Sequence, residues 1–551
     1  MPAYSLSTHH ASTTPWRHIA AAAARTALLC IATTLLGACA TRPPATSMNR
    51  EVTHALPADT PTPLLDALTT PERTHPGESG FRVLSNGSEA LQMRIALARA
   101  ATKTLDMQYY IANEDTTGKL LLGAALYAAD RGVRVRMLVD DLNFDDIDSV
   151  MAALNSHDNI EIRVFNPFGT THRGMFERTA NLFTKIDSFT RRMHNKAMIA
   201  DNQVSIVGGR NLGDEYFSAS TTLQFRDLDV LAAGPITHDV SASFDEFWQS
   251  SSSYPLRALN HQKFEPKELD AMRDELRAHW RDNADPYNAK PLNATPLAAQ
   301  IASNTLGLTW APAEFKADTP DKIVKPTDDY VSPPMQRLIE LTHDAQKEFL
   351  VISPYFVPHD AGVKGLGVLT QRGVRVAVLT NSMAATDAIA VQAGYSPYRV
   401  PLLKEGVELY EFRPIQNQPR PGIAGSQSRA SLHAKTYVID RKILVIGSMN
   451  LDPRSAHLNT ELALVIHSEA LAGEVATLFD RATQPEISYR VTLATPAERA
   501  RLKADSVTES PLIWTDVEDG QRHTYNLDPH AGFYRNLLTG ICLLLPIDNE
   551  L

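Results

Sequence analysis

Two stretches of this chain repeat one pattern, and that pattern decides the fold. The first, HNKAMIADNQVSIVGGRNL, covers residues 194–212, and the second, HAKTYVIDRKILVIGSMNL, covers residues 433–451. Each stretch alternates polar and apolar residues up to an aspartate and then returns as a run rich in β-branched residues, which predicts a hairpin of two strands. Two such hairpins in one chain indicate two related halves.

Further repeats surround the two hairpins. RGVRVRMLVDD from Arg131 resembles RGVRVAVLTNS from Arg372, and KTLDMQYYI from Lys103 resembles KEFLVISPYFV from Lys347. These strand-like runs alternate with segments of helical apolar spacing, such as GSEALQMRIALARA from Gly87. We therefore predict an α/β protein of two domains related by a pseudo-twofold axis, each a mostly buried β-sheet flanked by helices.

The length of 551 residues allows two or more domains. We place the first repeated domain at residues 81–265 and the second at residues 331–500. Residues 266–330 contain a charged amphipathic helix and a proline-rich stretch, and are predicted to form an interdomain helix and linker. Residues 501–551 form a C-terminal extension that ends in an apolar tail too short to span a bilayer. Residues 40–80 are rich in Pro, Thr and Ser and are predicted to be a flexible tether.

The N-terminus resembles an export signal. Arginines precede an apolar run at residues 26–38, and the run ends in LLGAC at Cys39. This ending resembles the bacterial lipobox, so we expect a lipoprotein-type signal over residues 1–39 and lipid attachment at Cys39. Ala40 after the cysteine resembles the rule for sorting to the outer membrane. The protein is then expected in the bacterial cell envelope, lipid-anchored and facing the periplasm; an ordinary secretory signal with an incidental cysteine is the alternative.

Charge and cysteine content narrow the possible partners. The formal net charge is -10 at pH 7, which disfavours nucleic acid as a partner. Processing at Cys39 would leave Cys542 as the only ordinary thiol, so neither an intramolecular disulfide nor a cysteine-based metal site is expected. A membrane surface is the expected partner if the anchor is attached.

The polar residues of each hairpin are arranged for work on an anion. His194 and Lys196 lie two apart on a strand and therefore share one face, as do His433 and Lys435 in the second copy. Five residues further on, at a probable turn, Asp201 and Asp440 belong to the motif set, and we expect them to shape the hairpin by capping local backbone N–H groups. The returning strands deliver small residues and an asparagine in each half, namely Gly209, Asn211, Ser448 and Asn450.

If the halves pack about a twofold axis, one pocket receives two imidazoles, two ammonium groups and two amides. Such a pocket can hold the oxygens of a phosphodiester, and small residues such as Gly209 and Ser448 let it approach the backbone closely. One histidine can attack phosphorus while the other protonates the departing oxygen. A metal site on the histidines is disfavoured because a lysine shares their face. The acidic run DDLNFDD from Asp140 fails the calcium-loop pattern at the positions that need Gly and Glu.

These residues resemble the phospholipase D superfamily, whose motif HxK(x)4D(x)6GSxN is met in full by the second copy. The first copy departs at Gly209, where serine is usual. The resemblance implies a covalent phosphohistidine on His194, with His433 as general acid and then base, and no metal or other cofactor. It also implies that a carboxylate of each half orients the histidine of the other. By position these are Glu461 for His194 and Asp229 for His433, with Asp227 as the competitor for the latter role.

Within the superfamily the chain resembles the bacterial cardiolipin synthases, the C type in particular, through runs such as LDMQYYI, IRVFNPF and GSMNLDPRSAHLNTEL. The resemblance implies transfer of a phosphatidyl group to phosphatidylglycerol, with phosphatidylglycerol or phosphatidylethanolamine as donor. Hydrolysis to phosphatidic acid by a phospholipase D is the first alternative. A metal-independent nuclease and an inactive lipid-binding scaffold are the others. The sequence identifies no protein partner.

Overall fold

A computed structural model describes residues 50–141, 148–167, 191–217, 227–259, 266–285, 296–326, 330–414, 431–499 and 511–532, together with Arg535 and Thr539. The predicted signal segment with Cys39, the first part of the predicted tether and most of the C-terminal tail lie outside the described residues. In the ranges that are described, no helix is both long enough and apolar enough to cross a bilayer.

The first half is built on a nine-stranded mixed sheet. Its strands are β1 (Ser79–Leu84), β2 (Thr104–Tyr109), β3 (Arg134–Asp140), β4 (Ile160–Phe165), β5 (Ala197–Ala200), β6 (Val204–Gly208), β7 (Asp229–Ala233), β8 (Ser253–Pro255) and β9 (Thr309–Ala311). They lie in the order β8-β4-β3-β2-β5-β6-β7-β1-β9. Strands β2, β3 and β4 are parallel to one another, and the other pairs are antiparallel.

Helices cover this sheet because parallel strands need crossover connections, which helices supply. They are α1 (Pro63–Thr74), α2 (Gly87–Ala100), α3 (Thr116–Asp130), α4 (Asp148–Leu154), α5 (Asp214–Phe217), α6 (Ile236–Gln249), α7 (Leu256–Leu259), α8 (Pro266–Asn283) and α9 (Leu297–Ala302). Side-chain caps fix where the two main crossovers begin: Asn86 accepts from the first N–H groups of α2, and Asp115 does so for α3.

The second half repeats this plan on a ten-stranded sheet. Its strands are β10 (Ala313–Ala317), β11 (Glu348–Ile352), β12 (Arg375–Asn381), β13 (Glu408–Phe412), β14 (Thr436–Ile439), β15 (Ile443–Gly447), β16 (Leu462–His467), β17 (Ser488–Leu493), β18 (Leu512–Glu518) and β19 (Gln521–Tyr525). They lie in the order β10-β16-β15-β14-β11-β12-β13-β17-β18-β19. The parallel trio β11, β12 and β13 corresponds to β2, β3 and β4, and β14, β15 and β16 correspond to β5, β6 and β7.

The helices of the second half are α10 (Asp321–Val324), α11 (Pro333–His343), α12 (His359–Gln371), α13 (Ile389–Tyr395), α14 (Arg399–Lys404) and α15 (Glu469–Ala482). A 3₁₀ turn at Ser396–Tyr398 and a π-helical turn at Arg454–Leu458 complete the set. The predicted fold class, two α/β halves each with a buried sheet flanked by helices, is confirmed by this arrangement.

The halves are joined through their hairpins. Strands β6 and β7 of the first sheet contact β15 and β16 of the second. A single cluster of buried apolar side chains spans this junction, with Val207 and Val230 from one half and Leu444 and Ile446 from the other. Because both hairpins end at this shared core, the residues that follow each hairpin are brought to the same seam.

Three segments differ from their predicted roles. From Arg50 onward the predicted tether packs on the first half: Arg136 donates to the Thr53 carbonyl at 2.8 Å, and α1 and β1 begin before residue 81. The prediction of a flexible tether is therefore wrong for residues 50–80, since backbone carbonyls in this stretch satisfy buried donors of the domain. The predicted linker contributes an edge strand to each sheet, β9 and β10. The C-terminal extension adds β18 and β19 to the second sheet.

Candidate active site

Each motif forms a hairpin closed by a β-turn whose two central residues both have positive φ. These are Asp201 (52°) and Asn202 (57°) in the first half, and Asp440 (54°) and Arg441 (54°) in the second. Turns of this mirror-image kind match the right-handed twist of the strands, and Asp and Asn tolerate the left-handed conformation well. The aspartates therefore shape the hairpins, as their position predicts.

The two aspartate carboxylates bind backbone N–H groups that are far away in sequence. Asp201 accepts from the N–H groups of Thr102, Lys103 and Thr104, at 2.8 to 3.1 Å. Asp440 accepts in the same way from three consecutive N–H groups at Gln346, Lys347 and Glu348. The expectation of local capping is thus wrong: the two carboxylates fasten each hairpin to the start of the neighbouring strand, β2 or β11, and neither contacts a catalytic histidine.

A short backbone bridge ties the first histidine to the second half. Met193 pairs with Thr460 in a parallel bridge, the His194 N–H donates to the Thr460 carbonyl at 3.0 Å, and the Thr460 N–H donates to the Arg192 carbonyl at 3.0 Å. Because Glu461 is the next residue, this bridge places its carboxylate beside the imidazole. The contact across the halves is therefore fixed by backbone hydrogen bonds and does not depend on side chains alone.

His194 bonds to Glu461 through Nδ1, which lies 3.0 Å from Oε1 and 2.9 Å from Oε2. This is the contact that the family resemblance implied. A carboxylate on Nδ1 fixes the proton there, so Nε2 keeps its lone pair. Ser448 and Ser455 also donate their hydroxyl hydrogens to Glu461, which is fully buried. The carboxylate is thereby held in one orientation.

His433 bonds to Asp227, not to Asp229. The distance from Nδ1 to Asp227 Oδ2 is 2.8 Å. Asp229 is fully buried elsewhere, where its Oδ2 lies 2.8 Å from Arg94 and 3.0 Å from Arg210. The prediction of Asp229 as the partner of His433 is therefore wrong, because two guanidinium groups occupy its carboxylate.

Sheet register explains why the nearer competitor takes this role. Gly208 pairs with Asp229 across β6 and β7, whereas Gly447 pairs with Ala463 across β15 and β16. Asp229 therefore corresponds to Ala463, and the residue that corresponds to Glu461 is Asp227. Alignment of the short runs RDLDV and TELAL without a gap would have indicated the same pairing.

The small residue after each hairpin differs between the halves for a steric reason. A Cβ placed on Gly209 would lie 2.2 Å from Asp227 Oδ1, so the carboxylate occupies the space that a side chain would need. In the second half Ser448 fits, and its hydroxyl donates to Glu461 and accepts from the Leu462 N–H at 3.1 Å. Both were predicted to bind substrate. The structure assigns the Ser448 side chain to support of Glu461, and Gly209 to making room for Asp227.

The two lysines are buried beside their own histidines. Lys196 Nζ donates to the His194 carbonyl at 2.5 Å, and Lys435 Nζ donates to the His433 carbonyl. Burial lowers the pKa of Lys196 to about 7, partly offset by the Glu461 carboxylate, and lowers the pKa of Lys435 to about 8, partly offset by Asp227. Each ammonium group also lowers the pKa of the other lysine or of a histidine. The site thus concentrates cations that an anion would stabilise.

The histidines differ in electrostatic surroundings. Burial, followed by the charges of Lys196, Lys435 and His433, lowers the pKa of His194 well below its usual value. Burial and Lys435 also lower the pKa of His433, but Asp227 opposes them. Burial by itself would raise the pKa of Asp227, yet His433, Lys435 and Arg210 outweigh it and lower that pKa to about 2. His194 is therefore the histidine that stays neutral and can act as a base. His433 is paired with a carboxylate that stays ionised, because the pKa of Asp227 is low.

The predicted asparagines lie at the same place. Asn211 Oδ1 accepts from the Ile111 N–H at 3.2 Å, while its buried Nδ2 makes no hydrogen bond within the described residues. The Asn450 N–H donates to the Ser455 hydroxyl at 3.0 Å, and the Asn450 Oδ1, an acceptor, is buried without a partner among those residues. Buried polar atoms that lack partners are typical of a site that binds a ligand.

Two tyrosines in contact with the histidines were not predicted. The Tyr110 ring meets His194 edge-on at 5.1 Å between centroids, and Tyr216 meets His433 at 5.2 Å. Both tyrosines come from the first half. Tyr110 follows strand β2 in the run MQYYI, so its position at a strand end was a usable signal. Tyr216 lies in the four-residue helix α5, which sequence periodicity does not reveal.

One cluster with the spacing of metal ligands occurs among the described residues, and it lies away from the histidines. Asp516, Glu518 and His523 on the β18–β19 hairpin have ligand atoms within 4.8 Å of one another. Arg413 already places its guanidinium 3.3 Å from Asp516 and 3.4 Å from Glu518. The Arg413 guanidinium thus supplies the positive charge that a metal ion would bring to these carboxylates.

Comparison with known proteins follows the same division into halves. Residues 94–248 and 338–483 match the family described as cardiolipin synthase, PLD-like domain. The chain is 37% identical over 479 residues to a protein of Escherichia coli named cardiolipin synthase C, covering 86% of this chain and 96% of that protein. It is 26% identical over 408 residues to cardiolipin synthase A of Pseudomonas entomophila, covering 73% of this chain and 69% of that one.

Among solved structures, a phosphatidylserine synthase of Haemophilus influenzae matches with a TM-score of 0.49 and 14% identity, covering 77% of this chain and 91% of that chain. The sequence matches, by contrast, extend through both motifs and both halves. On their strength, this chain belongs to the cardiolipin synthase family of the phospholipase D superfamily.

Proposed function

We propose that this chain is a phosphatidyltransferase that makes cardiolipin by moving a phosphatidyl group onto a head-group hydroxyl of phosphatidylglycerol. The observation that carries the proposal is the crossed pair of contacts, in which His194 is held by Glu461 of the other half and His433 by Asp227 of the other half. The similarity to proteins named cardiolipin synthase supports the choice of lipid.

In the first step His194 attacks the phosphorus of the donor lipid. Its Nδ1 proton is held by Glu461, so the Nε2 lone pair is available, and its lowered pKa keeps the ring neutral near pH 7. A bond forms between Nε2 and phosphorus while the bond from phosphorus to the head-group oxygen breaks. The protonated form of His433 gives its Nε2 proton to that oxygen, and Asp227 stabilises the imidazolium before transfer.

In the second step the roles reverse at His433. The neutral ring removes the proton from the hydroxyl of phosphatidylglycerol, whose oxygen attacks the phosphorus and displaces His194. Lys196, Lys435 and the unpaired Nδ2 of Asn211 hold the nonbridging oxygens, whose negative charge in turn raises the pKa of both lysines. By its corresponding place in the second motif, Asn450 is proposed to donate from its side-chain Nδ2 to the same oxygens. No metal is needed in this sequence of steps.

We further infer that the mature protein is attached to the membrane through Cys39, on the periplasmic side of the bacterial cell envelope and in the outer membrane. The apolar run that ends in LLGAC supports this proposal. Radiolabelled palmitate should enter the wild-type protein in a bacterial host and be absent from Cys39→Ser. Equal label in both proteins would contradict the anchor.

The function is tested with purified protein given phosphatidylglycerol alone, and phosphatidylglycerol with phosphatidylethanolamine, followed by separation of the lipid products. Cardiolipin from phosphatidylglycerol alone is expected, and head-group label distinguishes glycerol from ethanolamine as the leaving group. His194→Ala is the matched inactive control. Phosphatidic acid as the sole product would identify a hydrolase, and turnover that survives His194→Ala would contradict the mechanism.

A further inference from the structure

An apolar groove lies between helices α11 and α12 of the second half. Its volume is about 830 Å³, and its walls include Met335, Ile339, Leu366 and Val368. Five large apolar side chains are strongly exposed in the part of the chain that the structure describes, and three of them, Val331, Ile339 and Val368, line this groove. Exposed apolar patches of this kind mark binding sites in soluble domains.

The groove is continuous with the segment that builds the active site. Leu451, Asp452, Pro453, Ala456 and His457 form its inner end. This segment begins directly after Asn450 and contains Ser455, whose hydroxyl donates to Glu461. The His457 carbonyl accepts from Arg191, three residues before His194. One end of the groove is therefore lined by residues that follow Asn450 directly in the chain and contact the segment before His194.

The length of the groove matches one acyl chain. Helix α12 has 13 residues and is about 20 Å long at 1.5 Å per residue. The hydrocarbon of one bilayer leaflet is about 15 Å thick, which is half of the bilayer core. Helix α12 runs from Pro358 and His359 at the active-site end to Arg372 at the far end, and all three residues line the groove.

One glycine leaves part of the groove wall without a side chain. Gly365 lies on the wall formed by α12, and a Cβ there would meet nothing within 4 Å, whereas a Cβ on Gly362 of the same wall would lie 2.8 Å from the Pro358 Cβ. Glycine inside a helix costs about 0.5–1 kcal/mol relative to alanine. The glycine at this point of the helix therefore lowers the stability of the protein. In return, it leaves space in the groove that an apolar ligand can fill.

We propose that this groove binds an acyl chain of the phospholipid whose head group reacts at His194 and His433. The inference rests on the proposed function, and it adds the place where the apolar part of the substrate is held. An acyl chain is the occupant because the groove is apolar, is as long as one chain and is lined at one end by the segment that follows Asn450. Affinity should then depend on chain length.

The test measures KM for a series of water-soluble phosphatidylglycerols, from dibutyroyl to dioctanoyl, each below its micelle-forming concentration. In the wild-type protein KM should fall about two- to fourfold for each added methylene of the bound chain. Gly365→Leu, which fills the groove, should flatten this dependence. Ile339→Asp, on the opposite wall at a side chain that is already half exposed, should flatten it as well.

Gly473→Leu is the matched control, since Gly473 lies in α15 outside the groove and a Cβ added there would also meet nothing within 4 Å. It should keep the wild-type dependence. Melting curves for Gly365→Ala, expected to be as stable as wild type or more so, separate groove filling from misfolding. Binding of dioctanoyl phosphatidylglycerol to His194→Ala by calorimetry, with and without Gly365→Leu, gives the same comparison without turnover.

A wild-type KM that does not change with chain length would overturn the groove while leaving the transferase intact. The groove would also be overturned as an acyl site if both groove variants kept the wild-type dependence of KM on chain length. If they kept it but lost binding to phosphatidylglycerol vesicles, the groove would contact the membrane surface instead. Absence of turnover with every lipid would refute the proposed function, and the acyl site with it.

Discussion

The two halves of the active site are built on one plan but differ in the carboxylate that holds each histidine and in the small residue beside that carboxylate. His194 is held by a glutamate that two serines also bind, whereas His433 is held by an aspartate that fits only because Gly209 has no side chain. The first ring is surrounded by groups that lower its pKa, and the second has a carboxylate whose pKa lies at about 2. The repeated geometry is thus combined with different electrostatic surroundings, which fit the proposed roles of His194 as nucleophile and His433 as acid and base.

The largest effect is expected from Asp227→Asn. Loss of the anion that orients His433 should lower kcat about 10²- to 10⁴-fold, as for carboxylates that support a catalytic histidine elsewhere. Asp229→Asn is the matched variant: it should lower the free energy of unfolding by about 3–5 kcal/mol, because Arg94 and Arg210 lose their buried anion. Kinetics and thermal unfolding of both variants decide the assignment. An inactive, stably folded Asp229→Asn with an active Asp227→Asn would reverse it.

The second prediction replaces the residues that hold His433 by the serine and glutamate that hold His194. Gly209→Ser brings a Cβ to 2.2 Å from Asp227 Oδ1 and should displace that carboxylate, with a loss of about 10²-fold in kcat. The double variant Gly209→Ser with Asp227→Glu copies the Ser448 and Glu461 pair into the first half and should recover part of the loss. Steady-state kinetics of the single and double variants provide the test. Full activity of Gly209→Ser alone would contradict the steric account.

The sequence predicted the support of one histidine and not of the other. The hairpins, the alternating layers and the crossed support of His194 by Glu461 follow from local periodicity, from the repeat and from family resemblance. The partner of His433 was not predicted, because Asp227 and Asp229 are two residues apart; the register of β7 against β6 decides between them, and an ungapped alignment of RDLDV with TELAL was the available sequence signal. That register depends on contacts between strands distant in sequence.

Other differences between prediction and structure also arise from contacts between residues that are distant in sequence. Residues 50–80 look like a tether by composition, yet their backbone carbonyls accept from buried donors such as Arg136 of the first half. The proline-rich linker adds β9 and β10 to opposite sheets because open strand edges were available there. Asp201 and Asp440 were expected to cap their own turns. Instead they bind N–H groups that tertiary folding brings to them.

The third prediction concerns pH and the two lysines. Both must be charged to hold phosphate, and their pKa values are about 7 for Lys196 and about 8 for Lys435 in the free protein. As pH rises through this range they lose their protons, so kcat/KM should fall by about tenfold per unit between pH 7 and 8 and approach about 100-fold per unit above pH 8, where both protons are lost. The pKa of His194 lies well below 6.5, so protonation of this ring should not lower kcat/KM at pH 6.5. A profile that still rises from pH 8 to 9 would contradict these shifts.

The smallest effect compares the two hairpin aspartates. Asp201 is fully buried and accepts five hydrogen bonds, whereas Asp440 is partly exposed and accepts three. Asp201→Ala should therefore lower the free energy of unfolding by about 2–3 kcal/mol and Asp440→Ala by about 1 kcal/mol. Chemical denaturation measures both. A larger loss for Asp440→Ala would show that burial does not set the difference.

In the proposed mechanism the two histidines are not interchangeable, since His194 carries the phosphoryl group and His433 moves protons. The most direct measurement is rapid denaturation at alkaline pH, which preserves the bond from nitrogen to phosphorus, and mass spectrometry of the enzyme after brief exposure to a phosphatidyl substrate whose leaving group needs no protonation, such as a p-nitrophenyl ester. We predict a phosphohistidine at His194 that accumulates in His433→Ala and is absent from His194→Ala. Phosphoryl label on His433, or label that survives His194→Ala, would contradict the account.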